Sequence, residues 1–158
     1  MDYRIRDATP ADLPEIVRLC GEHAEFEQAD YSPEGKAEKL AKLLFSDSLR
    51  ISCLIVEGSD GEILGYATFM TELSTWEADF FIHMDCLFLR PQARGMGIGE
   101  QLIKEIAARA INMNCKQIQW QTPNWNERAI AFYYRIGANS KEKLRMYLDE
   151  TTIAKLAG

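Results

Sequence analysis

The chain has 158 residues, 47% hydrophobic and 27% charged, with a formal net charge of −6. That length fits one domain, 1–158, around a single core. An acidic balance without a basic stripe argues against nucleic-acid binding, and no apolar run approaches the ~20 residues that span a membrane. The opening Met1-Asp2-Tyr3-Arg4 carries no apolar core of a secretory leader, which predicts a cytoplasmic protein. Cys20, Cys53, Cys86 and Cys115 are far apart, and so are His23 and His83. This spacing predicts reduced core thiols and no metal site.

In chain order, Tyr3 to Arg6 reads as a first strand. Thr9-Pro10-Ala11-Asp12 then opens a helix, with Thr9 as N-cap and an acid at N3. Its apolar face is Leu13, Ile16, Val17, Leu19 and Cys20, and it runs to about Ala24. Ser32-Pro33 opens a second helix, with Leu40, Leu43, Leu44 and Phe45 as its buried stripe. Ile51 to Val56 and Ile63 to Met70 form an antiparallel hairpin about Ser59-Asp60-Gly61. A polar loop from Leu73 to Asp79 carries Trp76. Phe80 to Arg90 is apolar on both faces, as a central strand is.

Gln92-Ala93-Arg94-Gly95-Met96-Gly97-Ile98-Gly99 follows that strand and opens an amphipathic helix with Ile98, Leu102, Ile103, Ile106, Ala110 and Met113 on one face. Glu100–Lys104 and Glu105–Arg109 are i,i+4 pairs on the other face. Three glycines at alternate positions bare the main chain beside a helix N-terminus, where unpaired amides and the helix dipole favour an anion. Glu100 stands where a dinucleotide fingerprint needs its third glycine, and no Gly-Lys-Ser/Thr follows. Lys116 to Gln121 forms the next strand, joined by a parallel, right-handed crossover. A later helix is capped by Asn126 and ended by Gly137. Leu144 to Leu148 reads as a last strand and Thr151 to Ala157 as a tail helix.

The Q-x-x-G-x-G loop resembles the acyl-coenzyme A loop of the GNAT N-acetyltransferase superfamily. Asn124-Trp125-Asn126-Glu127 through Phe132-Tyr133-Tyr134-Arg135-Ile136-Gly137-Ala138 is similar to that superfamily's later coenzyme A motif. It stands nearest the spermidine/spermine (diamine) acetyltransferase branch. The resemblance covers roughly residues 50–140. It implies an α/β (α+β) fold: a mixed central sheet of six to seven strands flanked by helices, with splayed parallel strands holding the acyl-coenzyme A. It also implies a homodimer that moves an acetyl group from acetyl-CoA to an amine of a small molecule.

The same resemblance assigns the site residues. Arg94, Gly95, Met96, Gly97, Ile98 and Gly99 meet the pyrophosphate; Arg94 also reads as a surface cation. Leu87 and Leu89 meet the acyl and pantetheine groups through their backbone, and Asn126 reaches the coenzyme. Tyr133 protonates the departing thiolate; a phenol, with a pKa of roughly 10, carries the proton at neutral pH. Tyr133 also reads as a packed aromatic. Asp85, mid-strand and by parity on the face of Leu87 and Leu89, matches the branch's proton-accepting acid. It reads equally as one half of a buried ion pair. His83 is a second candidate base.

Glu25, Glu27 and Trp76 match the amine site, where the acids also read as a solvated helix end. Ser74 and Cys86 stand where polyamine enzymes carry acids, which favours a diamine or a lysine-like amino acid. A non-catalytic acyl-CoA sensing module and a protein-acetylating enzyme are the competing readings.

Overall fold

The computed structural model describes residues 2–46 and 51–158. The chain forms two compact units, 1–123 and 124–158. The first holds β1 (Tyr3–Asp7), α1 (Leu13–Phe26), α2 (Lys36–Leu44), β2 (Ile51–Gly58), β3 (Ile63–Ser74), β4 (Asp79–Leu89), α3 (Ile98–Asn112) and β5 (Ile118–Gln119). The second holds α4 (Glu127–Arg135) and α5 (Glu150–Ala157).

The five strands form one sheet in the order β1-β2-β3-β4-β5. The β1–β4 pairs are antiparallel, while β4 and β5 run parallel across the α3 crossover. The parallel pairing covers only Ile82–Ile118 and His83–Gln119, so β4 continues beyond its parallel neighbour, as splayed strands do. The mixed sheet agrees with the sequence reading, but among the described residues it has five strands rather than six or seven. The expected strand at Leu144–Leu148 is not formed. Leu144, Met146 and Tyr147 are instead more than four-fifths exposed. Alternating apolar residues make a strand only where a neighbouring backbone takes up their N–H and C=O groups.

Two apolar layers hold the first unit together. Leu54, Leu64, Ala67, Phe69, Ile82 and Met84 of the sheet pack with Ile98, Leu102, Ile106 and Ala110 of α3. On the opposite face Cys53, Ile55, Tyr66 and Phe88 pack with Ile16 and Leu19 of α1, and Leu40 and Leu44 of α2 lie against them. α1 begins as expected, with a Thr9–Asp12 capping box leading through a short 3-10 turn. α2 starts at Lys36, later than Ser32-Pro33 suggests, behind Gly35 in the left-handed region.

The β3–β4 hairpin is longer than its polar composition indicates. Ser74 still pairs with Asp79, so the loop shrinks to residues 75–78. Gly65 allows the two strands to approach, since a Cβ there would meet the Phe88 carbonyl oxygen at 2.4 Å. On α3 the Glu100–Lys104 pair forms at 2.8 Å. Arg109, however, grips Asp7 at the end of β1 with both η nitrogens, at 2.8 and 3.0 Å.

Arg90 at the end of β4 fixes α1 over the sheet. Its side chain is 5% exposed, and its guanidinium donates to Glu15, Glu22 and the Ile63 carbonyl at 2.6–3.0 Å. A buried cation is tolerated only when its donors are so matched.

Candidate active site

The turn after β4 is shaped by its glycines. Pro91–Ala93 make one 3-10 turn, Arg94 is extended, and Gly95 and Gly97 take φ of 79° and 78°. Side chains are strained in that left-handed region, so these two positions favour glycine. Gly97 is the N-cap of α3 and supplies no side-chain cap. The first intrahelical bond runs from the Gln101 amide to the Gly97 carbonyl. The Ile98 and Gly99 amides precede it, at the positive end of the helix dipole. Ile98 is buried by its side chain, so only its backbone can serve a ligand, whereas Met96 is 41% exposed.

Arg94 is docked rather than loose. Its Nε donates to the Leu89 carbonyl at 2.7 Å, and its guanidinium lies 4.9 Å from the Phe26 ring and 5.4 Å from the Phe88 ring. These cation–π contacts join α1, β4 and the turn. Neither aromatic is visible as a site residue in the sequence.

Asp85 differs from its expected setting. The β3–β4 register steps from Thr68–Cys86 to Phe69–Met84 and leaves Asp85 without an opposite residue. Asp85 is therefore the extra residue of a β-bulge, and its side chain is exposed. The bulge also inverts the alternation. Ile82 and Met84 face α3 before it; after it Leu87 and Leu89 face α3, while Cys86 and Phe88 face α1. Parity alone had placed Asp85 with Leu87 and Leu89, an inference that holds only for an unbroken pleat. His83 lies before the bulge, half-buried, with Nδ1 3.5 Å from Glu72.

A polar seam crosses the α1 face from Asp85. The Cys86 thiol donates to the Asp85 carboxylate at 3.6 Å. Burial pushes the Cys86 thiol up to about 12, with the Tyr66 hydroxyl hydrogen-bonded beside it. Cys20, whose thiol is also raised by burial, meets the same hydroxyl. Tyr66 is buried, and desolvation moves its phenol well above the usual range. Its Oη lies 3.3 Å from His23 Nδ1, and His23 Nε2 lies 3.2 Å from Glu27. The His23 ring stacks on Phe88, with centroids 5.2 Å apart.

The structure thus places Asp85 and Glu27 on either side of the Tyr66 cluster, and Arg94 beside Phe88. It does not bring Glu25 or Trp76 into the seam. Glu25 is exposed, two residues round the helix from Glu27. Trp76 is 93% exposed at the hairpin tip, about 20 Å from Asp85 at a strand rise of about 3.3 Å per residue. Sequence reasoning missed Tyr66 and the part played by His23. The i,i+4 spacing of His23 and Glu27 was the readable signal.

Asn126 and Tyr133 lie in the second unit. The Asn126 side chain accepts the Ala129 amide at 3.4 Å, capping α4. Gly137, with φ of 96°, follows the last turn, and the Ala138 amide donates to the Tyr133 carbonyl. Tyr133 is half-buried with its ring tilted on Phe132. Tyr134 is exposed, its hydroxyl 2.5 Å from Ser140 Oγ.

A strand ending in a glycine turn that opens a helix is an arrangement suited to holding an anion. The chain matches the Acetyltransferase (GNAT) family over residues 16–138. It belongs to that family and is an acyltransferase. It is 32% identical to the thialysine N-epsilon-acetyltransferase of Mus musculus, covering 98% of this chain and 97% of that protein. It is 29% identical to a spermidine/spermine N(1)-acetyltransferase-like protein 1 of Homo sapiens, over 87% of this chain and 21% of that protein. Among solved structures it resembles an integron cassette protein from the mobile metagenome of V. cholerae. That likeness has a TM-score of 0.80 and 28% identity, covering 99% and 98% of the two chains.

Proposed function

We propose that this chain transfers the acetyl group of acetyl-CoA to a primary amine of a small molecule: a diamine, a polyamine or, foremost, a lysine-like amino acid. The observation that carries this reading is the junction of β4 and α3. A bulged carboxylate and a turn with exposed amides lie at opposite ends of one short stretch, residues 85–99. The named activity of the thialysine-acetylating relative supports the acceptor class.

In this reading the pyrophosphate sits on the Gly95–Gly99 amides with Arg94 beside it, and Asn126 meets the coenzyme. The main chain at Leu87 and Leu89 meets the acyl arm. Asp85 takes a proton from the acceptor ammonium, directly or through water. The freed amine then attacks the acetyl carbonyl carbon and a C–N bond forms. The C–S bond breaks and Tyr133 gives its phenolic proton to the departing sulfur. Residues 1–158 act together as one catalytic domain. The exposed apolar segment at Leu144–Leu148 supports a homodimer, and the four free thiols support a reducing, cytoplasmic setting.

The test is coenzyme A release from acetyl-CoA over a panel of thialysine, lysine, putrescine, spermidine, an aminoglycoside and a lysine peptide. Turnover is expected with thialysine or lysine. Acetyl-CoA binding without turnover on any amine would favour a sensing module, and turnover only on the peptide a protein acetyltransferase. Tyr133→Phe is expected to lower kcat by about a hundredfold or more, with acetyl-CoA affinity within about twofold. Unchanged kcat would remove Tyr133 from the proton step.

A further inference from the structure

An i,i+4 His–Glu pair on a helix is ordinarily a surface contact of small consequence. His23 and Glu27 differ in what stands behind them. The His23 side chain is 16% exposed. Its ring is fixed on three sides: Phe88 stacks on one face, the Tyr66 ring meets it edge-on with centroids 6.2 Å apart, and the Tyr66 hydroxyl reaches Nδ1. Tyr66 is 1% exposed, with the Cys20 and Cys86 thiols beside its hydroxyl.

One assignment of protons satisfies the seam. Cys86 S–H donates to Asp85. Tyr66 O–H donates to His23 Nδ1, and His23 Nε2–H donates to Glu27. The imidazole is thereby fixed in one tautomer with its donor aimed outward. Glu27, on the final turn of α1 and otherwise free to swing into water, receives that donor. α1 is itself pinned over β4 by Arg90. Two carboxylates therefore flank the Tyr66 cluster, Asp85 on the strand beside Cys86 and Glu27 on the helix beside His23.

We propose that His23, set by Tyr66, is a positioning residue that holds the Glu27 carboxylate as the counter-charge for the second, non-reacting ammonium of a doubly cationic acceptor. This rests on the small-amine reading above. The reacting amine faces Asp85, and the other cation, the α-ammonium of a lysine-like amino acid or the far end of a diamine, pairs with Glu27. A rigid carboxylate selects better than a mobile one because less side-chain freedom is lost when the ligand binds. The seam therefore governs which acceptor enters, not how fast the acetyl group moves.

The test compares thialysine with its analogue lacking the α-amino group. His23→Leu is expected to raise KM for thialysine about tenfold with kcat within twofold, and to leave KM for the analogue unchanged. His23→Gln, which keeps an N–H donor, recovers most of the loss. Glu27→Gln, an exposed substitution that leaves the core intact, gives the same rise in KM. The double variant His23→Leu with Glu27→Gln goes no further, because the two residues act as one unit. An equal rise for both acceptors, a fall in kcat alone, or additive losses would overturn the proposal.

Calorimetric binding of thialysine separates this inference from the reading beneath it. A wild-type protein that binds thialysine more tightly than His23→Leu but never releases coenzyme A would keep the positioning role and sink the transferase reading. A wild-type protein that turns over thialysine with the variant unchanged would do the reverse. Absence of both binding and turnover would sink both.

Discussion

The two faces of the sheet obey different rules. Against α3 the buried packing is apolar, from Leu54 and Phe69 on the strands to Leu102 and Ile106 on the helix, with the Arg109–Asp7 ion pair at its edge. Against α1 the apolar cluster of Ile16, Leu19, Ile55 and Phe88 encloses thiols, a phenol and an imidazole. Apolar contacts are non-directional, so the α3 face needs only volume and shape. Each polar atom on the α1 face needs a partner at a fixed angle and distance, so that face also fixes positions. One face makes the sheet stable, and the other makes it specific.

The sharpest way to separate them is Ile106→Ala. Ile106 is fully buried on the α3 face, and its truncation is expected to cost about 2–5 kcal/mol. A denaturant titration reads this as a lower midpoint at constant slope. KM for the acceptor, measured well below that midpoint, stays within twofold. A large change in KM would show that the faces are coupled and the division too clean.

Arg90→Met tests the opposite face. It removes the buried cation of Glu15 and Glu22 and leaves them only the exposed Arg18. Both keep contact with water, so the expected cost is about 2 kcal/mol, below that of a fully buried pair. Here KM should rise as well, because Arg90 places α1 and with it residues 23–27. The pH dependence adds a signature. The hydrogen bond to Arg90 holds the Glu22 carboxyl below its ordinary value of 4.5. A depressed carboxyl stabilises the fold above its unfolded pKa, and that contribution is lost as pH falls through the folded pKa. The wild-type protein should therefore lose stability on acidification below pH ~4.5 more steeply than Arg90→Met. Parallel acid limbs would show that Arg90 acts only by filling space.

The same contrast explains what was legible in the sequence. α3, with its 3.6-residue apolar stripe and its glycine start, is visible because both signals are local. So are the Thr9–Asp12 capping box and the β2–β3 hairpin. The bulge at Asp85 is invisible. It exists only in the register between β3 and β4, and an unbroken pleat was the natural assumption for eleven apolar-rich residues. The strand expected at Leu144 failed for a related reason: alternation describes one segment, whereas a ladder needs two. Of the site, the glycine turn and the Asn126 cap were readable from spacing. Arg94 was readable, but its aromatic supports Phe26 and Phe88 were not, because they come from separate elements. His23 reads in the sequence only as one of two histidines too far apart to share a metal. It is satisfied, and its partner beyond the core is what gives it consequence.

The smallest expected effect concerns two buried thiols, one of them, Cys86, in the seam. Burial raises Cys53 and Cys86 from 9.0 to about 12. The raised pKa leaves less thiolate at neutral pH, and the thiolate is the reactive form. A disulfide reagent should therefore modify these two positions far more slowly in the native protein than in the unfolded chain. The linkage runs with the same sign. A thiol whose folded pKa is raised adds stability in full below its unfolded value, and that stability fades as pH rises from about 9 toward 12. Native protein should thus soften at alkaline pH, and a Cys53→Ala, Cys86→Ala pair should soften less. Rapid labelling of Cys86 at neutral pH would mean that its S–H does not rest on Asp85. The seam would then be open at the strand end, and Glu27 would be held from the helix side alone.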